Sequence, residues 1–264
     1  MRRIGAIVLA LWCVVGGVAC GATPPRTVTP TATAAATHPR AAVPTEDLYL
    51  PLRLWMVDRQ IAARGIQNER VLEAMRQTPR HLFVPSDYIS QAYEDHPLPI
   101  GYGQTISQPY IVALMTEMLD PQPGDIVLEV GTGSGYQAAV LAYLVRHVYT
   151  VEIIPQLAES AAHRLRELGY ANVTVANLDG YYGWAEHAPF DKIIVTCAPD
   201  HIPPDLVAQL REGGRMAIPV GPPGLGQTLW LVEKKAGGEI ATTNYGLVSF
   251  VPLTGGHEKP QSPH

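Results

Sequence analysis

Cysteine is almost missing from the body of this chain. Of three cysteines in 264 residues, Cys13 and Cys20 lie near the N-terminus and only Cys197 lies beyond. A single cysteine cannot build a disulfide framework, so the body must be held together by packing. No cysteine and histidine cluster has the spacing of a zinc site, and no metal is expected. The body has no basic block and the net charge is −5, so nucleic acid is not an expected partner. No internal repeat is present. An apolar fraction of 47% over this length suits one full-sized domain plus a short N-terminal extra.

In that extra, Arg2 and Arg3 precede an apolar run over residues 4–19 that ends in Gly17-Val18-Ala19-Cys20. A basic start, a short apolar core and small residues describe an export signal. The run is too short, and too rich in small residues at its end, to read as a membrane span. The cysteine after small residues is similar to a bacterial lipobox, although Gly17 stands where such motifs usually carry Leu. Residues 1–20 are therefore expected to be a signal segment of lipoprotein type, with Cys20 lipidated after cleavage. Residues 21–44 are rich in Thr, Ala and Pro and are expected to form a flexible tether. The folded domain is expected over 45–264. The expected location is export with a lipid anchor at the cell envelope. The alternatives are a plain signal peptide, an uncleaved anchor, or an internal start at Met56 giving a cytoplasmic protein.

The pattern of the body changes midway. A helix is expected over 45–64, with Leu48, Leu52, Trp55, Met56 and Ile61 as its apolar side and Gly65 as its stop. Asn68 can cap a second helix over 69–77. A short helix is expected over 86–93, and residues 96–104, rich in Pro and Gly, read as extended or looped. A further helix should begin near Ser107, ahead of Pro109. From Asp125 on, strands and helices alternate. Strands are expected at 126–130, 147–152, 172–176 and 191–197, with helices at 136–144, 156–168 and 203–211. Later strands are expected at 215–220, 228–233 and 240–251. Alternation of this kind implies an α/β fold, a mainly parallel sheet covered on both faces, with an added N-terminal helical segment. Trp55 and Trp230 read most simply as core, and Cys197 as a small core residue rather than a nucleophile.

The most informative stretch is Asp125-Ile-Val-Leu-Glu-Val-Gly-Thr-Gly-Ser-Gly135. A buried strand stops at a glycine cluster and a helix follows. Gly131, Gly133 and Gly135 allow a sharp turn and close approach of a ligand. Glu152 ends the next apolar run about 20 residues on, where nucleotide-binding α/β folds place a carboxylate on ribose hydroxyls. The spacing G-x-G-x-G departs from the dinucleotide fingerprint, and no lysine follows as in a phosphate-binding loop. Glu129, two residues before the first glycine, would repel a pyrophosphate but suits a cationic group. S-adenosyl-L-methionine carries an amino group and a sulfonium and has no phosphate, so it is the expected cofactor. A nicotinamide or flavin nucleotide is the alternative.

Gly101-Tyr-Gly-Gln-Thr-Ile-Ser-Gln-Pro-Tyr110 resembles the signature of the protein-L-isoaspartate O-methyltransferase family. Met56-Val-Asp-Arg-Gln-Ile61, Pro79-Arg-His-Leu-Phe-Val84, the glycine stretch, Asp179-Gly180 and Phe250-Val-Pro-Leu253 resemble that family too, in order. The resemblance covers about residues 48–254. It implies a Rossmann-like class I S-adenosylmethionine-dependent methyltransferase fold. It also implies repair of damaged proteins and peptides, by methylation of the free α-carboxylate of L-isoaspartyl residues. Ser107 matches the active-site serine and is expected to orient that carboxylate; a serine before proline can also simply cap the following helix. Thr105, Ile106 and Tyr110 are expected to line the same groove, with Thr254 on the substrate side. Glu129, Gly131 and Gly133 are expected along the methionine part of the cofactor, with Thr132 and Gly135 also binding the cofactor, Glu152 on the ribose, and Asp179 and Gly180 at the adenine. Leu178 stands where relatives usually carry Gly. A monomer is expected. Two other readings remain at this point: a methyltransferase acting on another carboxylate or small molecule, and a non-catalytic surface-tethered binding module.

Overall fold

The computed structural model describes residues 47–222 and 225–256. The expectations for Cys20, the signal segment and residues 21–44 fall outside them. Among the described residues, seven strands form one sheet: β3 (Ile126–Val130), β4 (His147–Glu152), β5 (Val173–Asn177), β6 (Phe190–Val195), β7 (Leu210–Val220), β8 (Gln227–Lys234) and β9 (Ile240–Val248). Their order is β5-β4-β3-β6-β7-β8-β9. The pairs from β5 to β7 are parallel, and β8 and β9 add on antiparallel. The chain passes from β3 to β4 and β5 on one side, then returns past β3 to β6. That reversal opens a crevice beyond the carboxyl ends of β3 and β6.

Helices α4 (Tyr136–Ala142), α5 (Pro155–Glu167) and α6 (Pro204–Gln209) connect the strands. Central strands bury both faces, and successive residues serve opposite cores. Val127 packs into one apolar cluster, while Leu128 and Val130 pack into the other. By the same alternation Glu129 points toward the Val127 side, where an apolar residue would ordinarily sit. Residues 96–104, expected as extended or looped, carry β1 (Leu98–Gly101), which pairs antiparallel with β2 (Gln104–Ile106). The sequence pattern missed this pairing because each strand is too short to show alternation.

The N-terminal segment packs α3 (Pro109–Leu119) against β6 and β7 of the sheet, and α2 (Glu69–Gln77) against α3 and α4. Asn68 caps α2 as expected, accepting from Arg70 N at 3.1 Å and Val71 N at 3.4 Å. The backbone N–H of Asn68 donates to Glu117 on α3 at 2.6 Å, which ties the two helices. Asn68→Ala should lower unfolding stability by about 1 kcal/mol. Chemical denaturation would show this as an earlier midpoint with an unchanged slope.

The first helix departs from expectation. It runs as α1 (Leu50–Trp55), a π-helical turn over Met56–Ile61 and a 3-10 turn over Ala62–Arg64. Met56 and Ile61 are buried, but Leu48, Leu52 and Trp55 are 80%, 50% and 55% exposed, so Trp55 is not core. Arg53 takes the inward position instead. Its guanidinium donates to Asp47 at 2.6 Å, to the Arg76 carbonyl and to the Tyr93 hydroxyl. Periodicity cannot tell which side of a helix faces in when an arginine finds three acceptors inside. Trp230 is half-buried and packs at the second cluster, near its expected place.

Candidate active site

Three strand ends converge on one cavity. β3 delivers Gly131, β4 delivers Glu152 and β6 delivers Thr196, and all three line it with Glu129, Thr132 and Gly133. The glycine loop is fastened to the end of β4. Gly131 N donates to Val151 O at 2.8 Å, and Gly133 N donates to a Glu152 carboxylate oxygen at 2.8 Å. The other Glu152 oxygen accepts Ile154 N at 3.0 Å. Each oxygen keeps a lone pair for a ligand hydroxyl, so Glu152 both shapes the loop and fits a ribose diol.

Glu129 is fully buried, and neither carboxylate oxygen has a hydrogen-bond partner. The Thr150 hydroxyl lies beside it but is engaged with Thr132 at 2.6 Å. Burial pushes this carboxyl up to about 8; the Thr150 hydroxyl partly offsets that, and the Glu152 charge adds to it. A buried acid without partners is costly unless its ligand supplies the donor. An ammonium group does so, and a pyrophosphate would not. The residues therefore fit S-adenosylmethionine, which carries such an ammonium group.

This arrangement makes a pH prediction. In the unfolded chain the carboxyl has its ordinary value of 4.5, and in the folded protein it is about 8. Between these values the native protein holds a proton that the unfolded chain has lost, so Glu129 erodes stability as pH rises through the window. Cofactor binding runs the other way, because pairing with the ammonium requires the ionised form. Affinity should fall about tenfold per pH unit below about 8. Calorimetry in buffers of different ionisation enthalpy should show proton release on binding below pH 8, absent in Glu129→Gln.

The sequence puts the turn that starts at Thr196 at a strand end on the ligand-binding rim, as observed, but assigns Thr196 no role of its own. Its hydroxyl donates to Gly131 O at 2.6 Å, with Val130 O at 3.0 Å. It pins the glycine loop across the crevice between β3 and β6. No local motif marks it, because only the strand order brings position 196 beside position 131. Cys197 also touches the cavity, but it is buried and burial pushes its thiol far above the ordinary range. Burial thus holds the thiol in its neutral form, which suits a small core residue.

The structure distributes the other expected residues as follows. Gly180 lines the cavity, and a Cβ there would lie 2.4 Å from Val130 Cγ1. Asp179 does not line it; its carboxylate accepts Tyr181 N at 3.0 Å and Gly256 N at 2.8 Å. Gly135 does not line it either. It caps α4 with φ +86°, and a Cβ would meet Leu165 Cδ1 at 3.1 Å, so its smallness serves helix packing. Thr254 lies on the cofactor cavity's wall, in a segment held by bonds from Ala198 N to Val251 O and from Leu253 N to Ala198 O.

A second groove opens beside the first, walled by Pro97, Ile111, Leu247 and Phe250. Thr105, Ser107 and Thr196 belong to both hollows, and Ile106 lines the first. Ser107 therefore stands at their junction. It does not cap α3: the N-cap is Gln108, and among the described residues the Ser107 hydroxyl makes no hydrogen bond. Asp95 fixes the turn instead, accepting Tyr110 N at 3.1 Å and Gln108 Nε2 at 2.8 Å. Tyr110, expected in the groove, lines neither hollow. Its ring lies under the Arg64 guanidinium, 3.6 Å from the centroid.

A parallel sheet with this strand order, a glycine loop at its switch point and a buried acid in place of a phosphate grip define a Rossmann-like class I S-adenosylmethionine-dependent methyltransferase. Comparison with known proteins narrows the class. A family model described as protein-L-isoaspartate(D-aspartate) O-methyltransferase matches residues 54–258. The chain belongs to that family.

Among curated relatives, protein-L-isoaspartate O-methyltransferase 2 of Syntrophobacter fumaroxidans is 62% identical over 188 residues, 71% of this chain and 76% of that one. The protein-L-isoaspartate O-methyltransferase of Gloeobacter violaceus is 53% identical over 206 residues, 78% of this chain and 99% of that one. A solved protein-L-isoaspartate O-methyltransferase superposes with TM-score 0.70 at 31% identity, over 78% of this chain and 66% of that one. A Plasmodium falciparum structure assigned to the same activity, in complex with S-adenosyl-L-homocysteine, gives TM-score 0.67 at 25% identity, over 76% and 98%.

Proposed function

We propose that this chain repairs damaged proteins by methylating the free α-carboxylate of L-isoaspartyl residues. The observation that carries the reading is Ser107, an unengaged hydroxyl among the described residues, where the cofactor cavity meets a second groove. S-adenosylmethionine supplies an electrophilic methyl group. The acceptor carboxylate is already ionised at neutral pH, with an ordinary value near ~4, so the protein need not remove a proton. Its work is alignment. The Ser107 hydroxyl donates to one carboxylate oxygen and leaves the other free to face the methyl. A neutral donor orients without over-stabilising the ground-state charge, as an arginine would. Thr105 and Thr196 flank the junction, while Glu129 would hold the cofactor's amino group and Glu152 its ribose hydroxyls. The neighbouring backbone nitrogen then displaces methanol from the ester to close a succinimide, which water reopens partly to normal aspartate.

The deciding assay is methyl transfer from labelled S-adenosylmethionine to paired peptides carrying L-isoaspartate or normal aspartate. Base-labile label on the isoaspartyl peptide alone is expected. Equal label on both, or on neither with cofactor binding intact, would point to another acceptor.

The location is a separate part of the reading. The basic start, the apolar run and Cys20 support export with a lipid anchor, and the domain is taken to act as a monomer. An internal start at Met56 would delete α1 and the inward Arg53 with its bond to Asp47, which disfavours that route. Fractionation of the native chain and of Cys20→Ala tests this. A soluble cytoplasmic wild type would count against the anchor.

A further inference from the structure

Ser107 and Gln108 are the whole link between β2 and α3. The link does not fasten itself. Gln108 makes no side-chain cap, and Pro109, which opens the helix, has no N–H to offer. Tyr110 N is therefore the first amide donor of α3, and it goes to Asp95 Oδ1 at 3.1 Å. The Gln108 side chain donates to Asp95 Oδ2 at 2.8 Å and to the Asp95 carbonyl at 3.1 Å. One aspartate, on the segment ahead of β1, thus grips the chain just beyond Ser107 from two sides. We propose that Asp95 is a positioning residue for methyl transfer: it holds this link so that the Ser107 hydroxyl stays free and stands where the two hollows meet.

A serine beside a helix start ordinarily spends its oxygen on a free amide of the first turn. At this helix that amide is Tyr110 N, and Asp95 takes it. A carboxylate wins this contest, because its charge strengthens the bond and suits the positive end of the helix. Ser107 is thereby left with a hydroxyl bonded to nothing among the described residues. Arg64 secures the aspartate in turn. Its guanidinium pairs with Asp95 Oδ2 and lies 3.6 Å from the centroid of the Tyr110 ring. Arg64 belongs to the 3-10 turn Ala62–Arg64, so the N-terminal helical segment reaches the reaction through this clamp. Asp95 and Arg64 line neither hollow, so they act on the acceptor only through the link.

The inference rests on the orienting role of Ser107 proposed above, and a double-mutant cycle tests the two apart. Turnover of the full chain on isoaspartyl peptide is measured for the wild type, Asp95→Asn, Ser107→Ala and the pair, with S-adenosyl-L-homocysteine affinity and melting temperature for each. Asn keeps an oxygen for Tyr110 N but turns an amide group toward the Gln108 and Arg64 donors. Asp95→Asn should lower kcat roughly tenfold or more, while cofactor affinity stays within about twofold and KM changes less than kcat. In the Ser107→Ala background the same substitution should change kcat by less than about twofold. Arg64→Ala, on the outer side of the clamp, should give a smaller loss that also vanishes with Ser107, and it decides the matter where Asp95→Asn fails to fold. An equal fold loss in both backgrounds, or a lower melting temperature with unchanged kcat, makes Asp95 structural and overturns the inference with the role of Ser107 untouched. Unchanged turnover in Ser107→Ala overturns the role of Ser107, and this inference with it.

Discussion

Gly131→Ala should reduce cofactor affinity by a hundredfold or more, roughly 3 kcal/mol, in a protein that still folds. Gly131 has φ +97°, a conformation L side chains rarely adopt, and a Cβ there would lie 2.5 Å from Thr196 Oγ1. The hydroxyl cannot simply rotate away, because it holds the Gly131 and Val130 carbonyls. The loop must therefore shift, and with it the Gly133 N–H that meets Glu152. Backbone strain alone costs about 1–2 kcal/mol. Gly65→Ala is the control, since φ is +103° there but nothing lies within 4 Å of the added Cβ. It should lose stability and keep affinity. Combining Gly131→Ala with Thr196→Ala removes the collision but not the strain, so it should recover part of the lost binding. Titration calorimetry with S-adenosyl-L-homocysteine reads all three. Unchanged affinity in Gly131→Ala would remove the loop from the binding site.

Ser107→Ala should lower turnover on isoaspartyl peptide about a hundredfold, the scale of a misaligned reacting atom. Cofactor affinity should stay within about twofold, because the glycine loop and the two glutamates are untouched. The loss should fall on kcat more than on KM, since an orienting bond matters most when carboxylate oxygen, methyl and sulfur stand in line. Stability should hardly change: the hydroxyl caps nothing and bonds to nothing among the described residues. A fall in melting temperature with unchanged turnover would make Ser107 a structural residue after all. Paired steady-state kinetics and thermal melts separate the outcomes.

The local devices of this protein were legible in its sequence. The run from Ile126 to Val130 broken by glycines, the acid closing the next strand and the Thr-Ile-Ser-Gln-Pro segment each declare themselves within a dozen residues. Strand and helix types from β3 to α5 follow from periodicity and length. What the sequence left open depended on neighbours far along the chain. Thr196 became part of the site because the strand order sets β6 beside β3. Gly135 turned out to serve Leu165 in a helix thirty residues on, and Tyr110 to serve Arg64. The carboxylate of Asp179 meets Gly256. Leu48, Leu52 and Trp55 read as a core face, yet they lie outside because Arg53 found buried acceptors in Asp47, Tyr93 and the Arg76 carbonyl. Short-range geometry is written in short stretches of sequence. Which face is buried, and which residues share a cavity, is decided by long-range contacts that no local pattern encodes.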